Sequence, residues 1–222
     1  MVRRRVGLQG GSFDPVHFGH LRAAEEVRER AALDEVWMVL ARVSPFKVKA
    51  GTSPVEDRLH MLDLALAGAE NLRPCAVELE RPGPSFTVDT VSELARRHPD
   101  TDFTLILGLD AFREIHGWQR WSDLLSSCDL AVTSRPPCQV ASGPEALPAL
   151  DLPIAVREAF WYDEAQACHR HRSGRRLDFH PLAALDISST RLRELVRHGR
   201  SIRFLTDRAV VDHIAAHGLY RT

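Results

Sequence analysis

Cysteine is scarce and scattered: Cys75, Cys128, Cys138 and Cys168 lie far apart and form no CxxC pair. A zinc ribbon, a dithiol redox motif and a disulfide framework are therefore not expected, and a reducing, cytoplasmic setting fits best. An excess of one charge is also missing, since 29 basic residues face 30 acidic ones for a net charge of −1. That balance supplies no global field for nucleic acid and no acidic tail, so any anion binding has to be local. Apolar runs never approach membrane-spanning length. The stretch from Val6 to Leu8, between Arg3-Arg4-Arg5 and Gly10-Gly11, is too short for a signal-peptide core. Neither a nucleic-acid nor a membrane partner is expected, and internal repeats and low-complexity tracts are missing too.

The chain does have enough apolar residues for one good core, 44% of 222 residues, and too few residues for two ordinary enzyme domains. A single domain over 1–222 is expected. Short apolar runs alternate with segments of helical period, the mark of βαβ units around a parallel sheet. The reading is α/β: a Rossmann-like doubly wound parallel sheet of five or so strands, with a C-terminal helical part. Strands are expected at 5–8, 36–40, 75–79, 103–107, 130–133 and 177–182. Helices are expected at 18–32, 54–69, 88–97, 187–198 and 207–216. Five prolines between Arg135 and Pro153 predict a long connection with little regular structure.

At the end of the first strand the chain reads Gly10-Gly11-Ser12-Phe13-Asp14-Pro15-Val16-His17-Phe18-Gly19-His20. A strand passing through a glycine turn into a helix is where open α/β sheets bind ligands, and a helix start favours anions. The more specific element is His17-x-Gly19-His20. Its three-residue spacing can direct both imidazoles at one anion while Gly19 leaves room for close approach, although a single histidine could as well cap the turn or pack against it.

A second candidate begins at Ile187-Ser188-Ser189-Thr190-Arg191-Leu192-Arg193. Hydroxyl residues at a helix start are ordinary caps. Arginines in the first turn are not, because the helix dipole favours Asp or Glu there, and they make better sense if an anion docks among them.

Taken together, Gly-Gly-x-Phe-Asp-Pro-x-His-x-Gly-His near the start and Ile-Ser-Ser-Thr-x-x-Arg near the end resemble the HxGH nucleotidyltransferase superfamily. Within it the chain resembles the nicotinate-nucleotide adenylyltransferases. Further matching stretches are Ser85-Phe86-Thr87-Val88-Asp89-Thr90, Gly108-Leu109-Asp110 followed by Trp118, and Gly218-Leu219-Tyr220. The resemblance implies that His17, His20, Lys47 and Arg193 are catalytic. It also implies that Gly10, Gly11, Ser12, Phe13, Gly19, Ser188, Ser189 and Thr190 bind ATP, and that Thr87, Asp110 and Trp118 recognise the pyridine nucleotide. As residues, Asp110 could simply cap a helix, Trp118 could pair with Trp121 in a core, and Lys49 competes with Lys47 as the loop ligand.

The implied reaction is adenylyl transfer from ATP to nicotinate mononucleotide, with Mg2+ accompanying ATP and pyrophosphate leaving. Nicotinamide mononucleotide is the nearest alternative acceptor, and a non-catalytic nucleotide-binding module of the same fold is the alternative from another class. A homo-oligomer is left open. No protein metal site is expected, since Cys168, His169, His171 and His180 have no standard ligand spacing. The sequence departs from the family pattern at Ser44-Pro45-Phe46-Lys47, where Pro-Pro-His-Lys is usual, and at Arg135-Pro136-Pro137, where Arg-Pro-Gly is usual.

Overall fold

A computed structural model of the chain describes residues 3–42, 52–134, 143–183 and 185–221. The strands are β1 (Arg4–Gly11), β2 (Glu35–Leu40), β3 (Leu72–Cys75), β4 (Thr101–Gly108), β5 (Asp129–Ser134), β6 (Phe160–Asp163), β7 (Cys168–His171) and β8 (Arg176–Pro181). The helices are α1 (Phe18–Arg30), α2 (Val55–Leu66), α3 (Thr87–Arg97), α4 (Leu109–Arg113), α5 (Trp121–Ser127), α6 (Ile154–Arg157), α7 (Ser189–Arg197) and α8 (Arg208–Ala216). The sheet runs β3-β2-β1-β4-β5-β8-β7-β6. Its first five strands have the doubly wound order, which reverses at β1, the strand that ends in the glycine turn.

Two compact units are resolved. The first comprises Met1–Gln9, Glu26–Val36 and Phe86–Ala183; the second comprises Gly10–Glu25, Trp37–Ser85 and Ala184–Thr222. In the first unit, β1, β4, β5 and β8 pair in parallel, with Leu8 opposite Leu105, Leu105 opposite Leu130, and Val132 opposite Phe179. Residues 103–107 of β4 are buried without interruption, as a strand covered on both faces requires. The other strands and helices fill in Phe112, Ile115, Leu124, Leu125 and Leu177.

The sheet then continues antiparallel through β7 and β6, two strands that the expected five or so parallel strands did not include. Both are short; Phe160-Trp161-Tyr162 favours a strand, whereas Cys168-His169-Arg170-His171 is largely polar and its burial against neighbours overrides that weak local preference. His169 packs edge-on against Tyr162 and Phe179, and His171 against Phe160. The Cys128 thiol is pushed up to about 12 by burial and that of Cys168 is raised for the same reason, so neither is a reactive thiolate.

Burial lowers the pKa values of His169, His171 and His180. The His171 Nδ1 accepts a hydrogen bond from the Ser173 backbone N–H at 3.2 Å and lies 2.8 Å from its hydroxyl; a proton on Nδ1 would abolish the first and reverse the second. These rings titrate below the unfolded value of about 6.5. Their contribution to stability is therefore complete above that pH and is lost as pH falls through it toward the folded values. The thermal midpoint is expected to drop between pH 7 and pH 5, with a shallower dependence in His171→Gln, which keeps an acceptor but cannot titrate. Thermal melts at stepped pH measure both slopes.

The second unit holds α2, β3 and the start of α1, together with α7 and α8, the two helices expected near the C-terminus. One element differs from its expected position. Residues 75–79 were expected to form a strand, but the strand is Leu72–Cys75 and Val77–Glu80 is a 3-10 turn. The alternation of Val77, Glu78 and Leu79 is too short to separate the two periods. The Leu79 and Arg81 carbonyls accept from the Arg42 guanidinium, at 2.9 and 3.3 Å, so a side chain serves carbonyls that a strand would offer to a neighbouring strand.

Candidate functional site

The glycine turn folds tightly onto an aromatic ring. Phe13 is buried and held at φ 45, and a Cβ on Gly11 would lie 2.9 Å from its ring. A left-handed phenylalanine is uncommon, and such strain concentrates where the surroundings over-determine it for function. A cis Asp14-Pro15 bond follows. The chain then enters α1, whose first turn contains no acidic residue.

His17 is buried and its ring stacks on that of His20, with centroids 3.6 Å apart and planes inclined by 24°. The His17 backbone N–H donates to His20 Nδ1 at 3.3 Å. Because Nδ1 accepts, the proton of a neutral His20 sits on Nε2, which is then a donor for an anion. The edge of the Phe13 ring braces His20 at 5.1 Å. A Cβ on Gly19 would lie 3.0 Å from His17 Nδ1 and 3.3 Å from the Ile187 carbonyl oxygen. A side chain there would push against both the imidazole and the second motif, and glycine lets them pack closely.

That second motif is pinned directly onto the first. Ser189 Oγ donates to the Pro15 carbonyl at 2.9 Å, and Arg193 Nη1 donates to the Asp14 carbonyl at 2.7 Å. Arg193 Nη2 also donates to Thr190 Oγ1 at 3.3 Å. Ser188 caps α7 by accepting from the Arg191 N–H at 3.2 Å, which realises the ordinary capping role. With no acid in its first turn, α7 presents Arg191 there and Arg193 at the start of the next turn. Two imidazoles, two helix starts and an arginine thus occupy one unit, a donor set able to hold a polyanion.

Three residues that the sequence reading did not propose for the site hold its backbone. Arg58 of α2 is 3% exposed. It donates to the carbonyls of Ser12 at 2.9 Å, Ala41 at 2.8 Å, Arg42 at 3.1 Å and Ser53 at 3.2 Å. Burial lowers its pKa, opposed by nearby Asp14, Tyr220 and Glu56. Tyr220 donates its hydroxyl to Asp14 Oδ1 at 2.6 Å, and burial together with that carboxylate drives the phenol pKa upward. Asp14 Oδ2 lies 3.9 Å from Arg193. An arginine within the apolar stripe of a predicted helix was the available signal for Arg58. Two further contacts brace the turn: Thr206 Oγ1 donates to the Val16 carbonyl at 2.8 Å, and the Phe18 N–H donates to Leu205 O at 3.1 Å.

Comparison with known proteins identifies the family. Residues 8–195 match the Cytidylyltransferase-like family model. The chain is 39% identical over 220 residues to a Syntrophotalea carbinolica protein named "Probable nicotinate-nucleotide adenylyltransferase", covering 98% of each. A Geobacter sulfurreducens protein of the same name is 39% identical over 216 residues, covering 97% of this chain and 98% of that one. The chain belongs to the nicotinate-nucleotide adenylyltransferase family. The fold also matches a solved Plasmodium falciparum nicotinic acid mononucleotide adenylyltransferase complexed with NaAD, with a TM-score of 0.71 at 17% identity over 98% of this chain and 97% of that one.

For a chain of this adenylyltransferase family, the remaining expected site residues fall as follows. Thr87 opens α3, Asp110 is exposed in the first turn of α4, and Trp118 is half-buried just after the 3-10 turn Ile115–Gly117; all three belong to the first unit. Asp110 Oδ1 folds back over the place a Cβ on Gly108 would take. Gly10 has open space where a side chain would be. Lys47 and Lys49 lie outside the described residues. Cys168, His169, His171 and His180 do not gather into a metal cluster among the described residues; Asp57, His213 and His217 do.

Proposed function

We propose that this chain transfers the adenylyl group of ATP to nicotinate mononucleotide, releasing pyrophosphate and forming nicotinate adenine dinucleotide, a step of NAD biosynthesis. The observation that carries the proposal is the junction of the two motifs: Gly19 against Ile187, Ser189 on Pro15 and Arg193 on Asp14, within a chain of this family. The acceptor phosphate attacks the α-phosphorus in line. A phosphate monoester is already anionic near neutral pH, so no general base is needed. Catalysis reduces to holding two polyanions together and stabilising charge on the transferring and leaving groups.

In this reading His20 donates Nε2–H to the transferring phosphate and His17 supports that ring. Arg193, Lys47 and the α7 start, with Ser188, Ser189 and Thr190, hold the triphosphate. Gly10, Gly11, Ser12, Phe13 and Gly19 form the channel through which its phosphates pass. Thr87, Asp110 and Trp118 recognise the pyridine nucleotide, Trp118 by stacking on its ring.

Mg2+ enters as part of the ATP substrate and offsets phosphate charge. The donor set suits that role: the Asp14 carboxylate is engaged by Tyr220 and Arg193, while the turn offers cations and N–H groups toward phosphate oxygens.

The test is pyrophosphate release from ATP with nicotinate or nicotinamide mononucleotide as acceptor, compared as kcat/KM. Preference for nicotinate mononucleotide is expected. Preference for the amide would change the acceptor, and no release with either would leave a nucleotide-binding module. Trp118→Ala is expected to raise KM for the acceptor about tenfold or more with kcat little changed, because stacking holds ground and transition states alike.

A further inference from the structure

Away from the glycine turn, α2 and α8 carry a group of metal-ligating side chains that the adenylyl-transfer reading does not use. Asp57, His213 and His217 each offer one ligand atom, and these atoms lie within 4.8 Å of one another. We propose that Asp57, His213 and His217 form a binding site for a zinc-type divalent transition metal that cross-links α2 to α8.

The chemistry of the set supports it. Two histidines one helical turn apart with one carboxylate are donors suited to Zn2+, and less so to Mg2+, which prefers oxygen ligands and its own waters. His213 Nε2 already stands 2.9 Å from Asp57 Oδ1, and tetrahedral ligands about a zinc lie about 3.4 Å apart, so small side-chain rotations admit the ion. His217 Nδ1 lies 3.0 Å from the His213 carbonyl oxygen. A carbonyl only accepts, so Nδ1 carries the proton and Nε2 keeps its lone pair, the arrangement in which a second partner orients a metal-binding imidazole. The set spans the range from buried His213 to exposed His217, which gives the ion a path of entry.

The clamp would act on the backbone of the glycine turn. Asp57 precedes Arg58, which holds Ser12, and α8 leads to Tyr220, which holds Asp14. The proposal stands whether or not the acceptor is nicotinate mononucleotide.

The experiment uses untagged full-length protein stripped with a chelator. Calorimetric titration with Zn2+ is expected to give one equivalent per chain, and a hundredfold excess over Kd to raise the thermal midpoint by about 5 °C or more. Mg2+ at the same concentration is expected to give no shift. Co2+ should produce the intense visible bands of a tetrahedral site. His217→Ala, which removes an exposed ligand and leaves the Asp57–His213 bond in place, and Asp57→Asn should each weaken Zn2+ binding at least tenfold and lose the Co2+ bands. The proposal is overturned if Zn2+ gives no shift, if Mg2+ gives an equal one, or if His217→Ala binds Zn2+ as tightly as the parent.

Discussion

His20→Ala is expected to lower kcat by about 10²- to 10³-fold, the cost of removing one preorganised donor from a developing anion. KM for ATP should change little, because the contact strengthens as charge builds on the transferring phosphate. His20 is the better target of the pair. His17 is buried and packs against Gly19, so truncating it mixes lost packing with lost chemistry. His20→Gln, which can present an amide N–H near the Nε2 position, should retain more activity than the alanine variant. Steady-state kinetics with varied ATP distinguish these outcomes. Retention of kcat/KM within about threefold, roughly 0.7 kcal/mol, would remove His20 from the catalytic machinery.

Arg58→Met should produce the largest loss of stability. The methionine fills similar volume but leaves the carbonyls of Ser12, Ala41, Arg42 and Ser53 without their charged donor. Breaking a buried charged hydrogen-bond network of this kind costs about 3–5 kcal/mol. For a chain of this size each kcal/mol moves the midpoint by about 2–4 °C, so a drop on the order of 10 °C is expected. Arg58→Lys keeps the charge but cannot match the planar fork, and should fall in between. Chemical denaturation and thermal melts measure the effect. A midpoint within about 2 °C of the parent would show that water serves those carbonyls equally well.

Much of the fold was legible because hydrophobic period reports burial directly. The helices opening at Phe18, Thr87 and Ser189 and the strands through Val6, Leu105 and Val132 stand where apolar spacing predicted. That the two motifs stand out was equally legible, since cations at a helix start run against ordinary local preference unless an anion docks there. Strands β6 and β7 were not: Phe160-Trp161-Tyr162-Asp163 is too short for its period to be read, and Cys168-His169-Arg170-His171 carries little strand preference and is held by Tyr162, Phe160 and Phe179. Nor was the role of Arg58 legible, since nothing in a sequence marks which carbonyls an arginine will reach.

By itself the sequence determined the kind of protein: an α/β chain with a glycine-turn histidine motif, a serine-arginine helix start and no global charge, because periodicity, glycine and charge placement act over a few residues. Only the tertiary structure decided that Gly19 meets Ile187, that Arg193 and Tyr220 converge on Asp14, and that Asp57 meets His213 and His217. Those partners are separated by more than a hundred residues, and a contact at such distance is set by how whole elements pack, which no local pattern encodes.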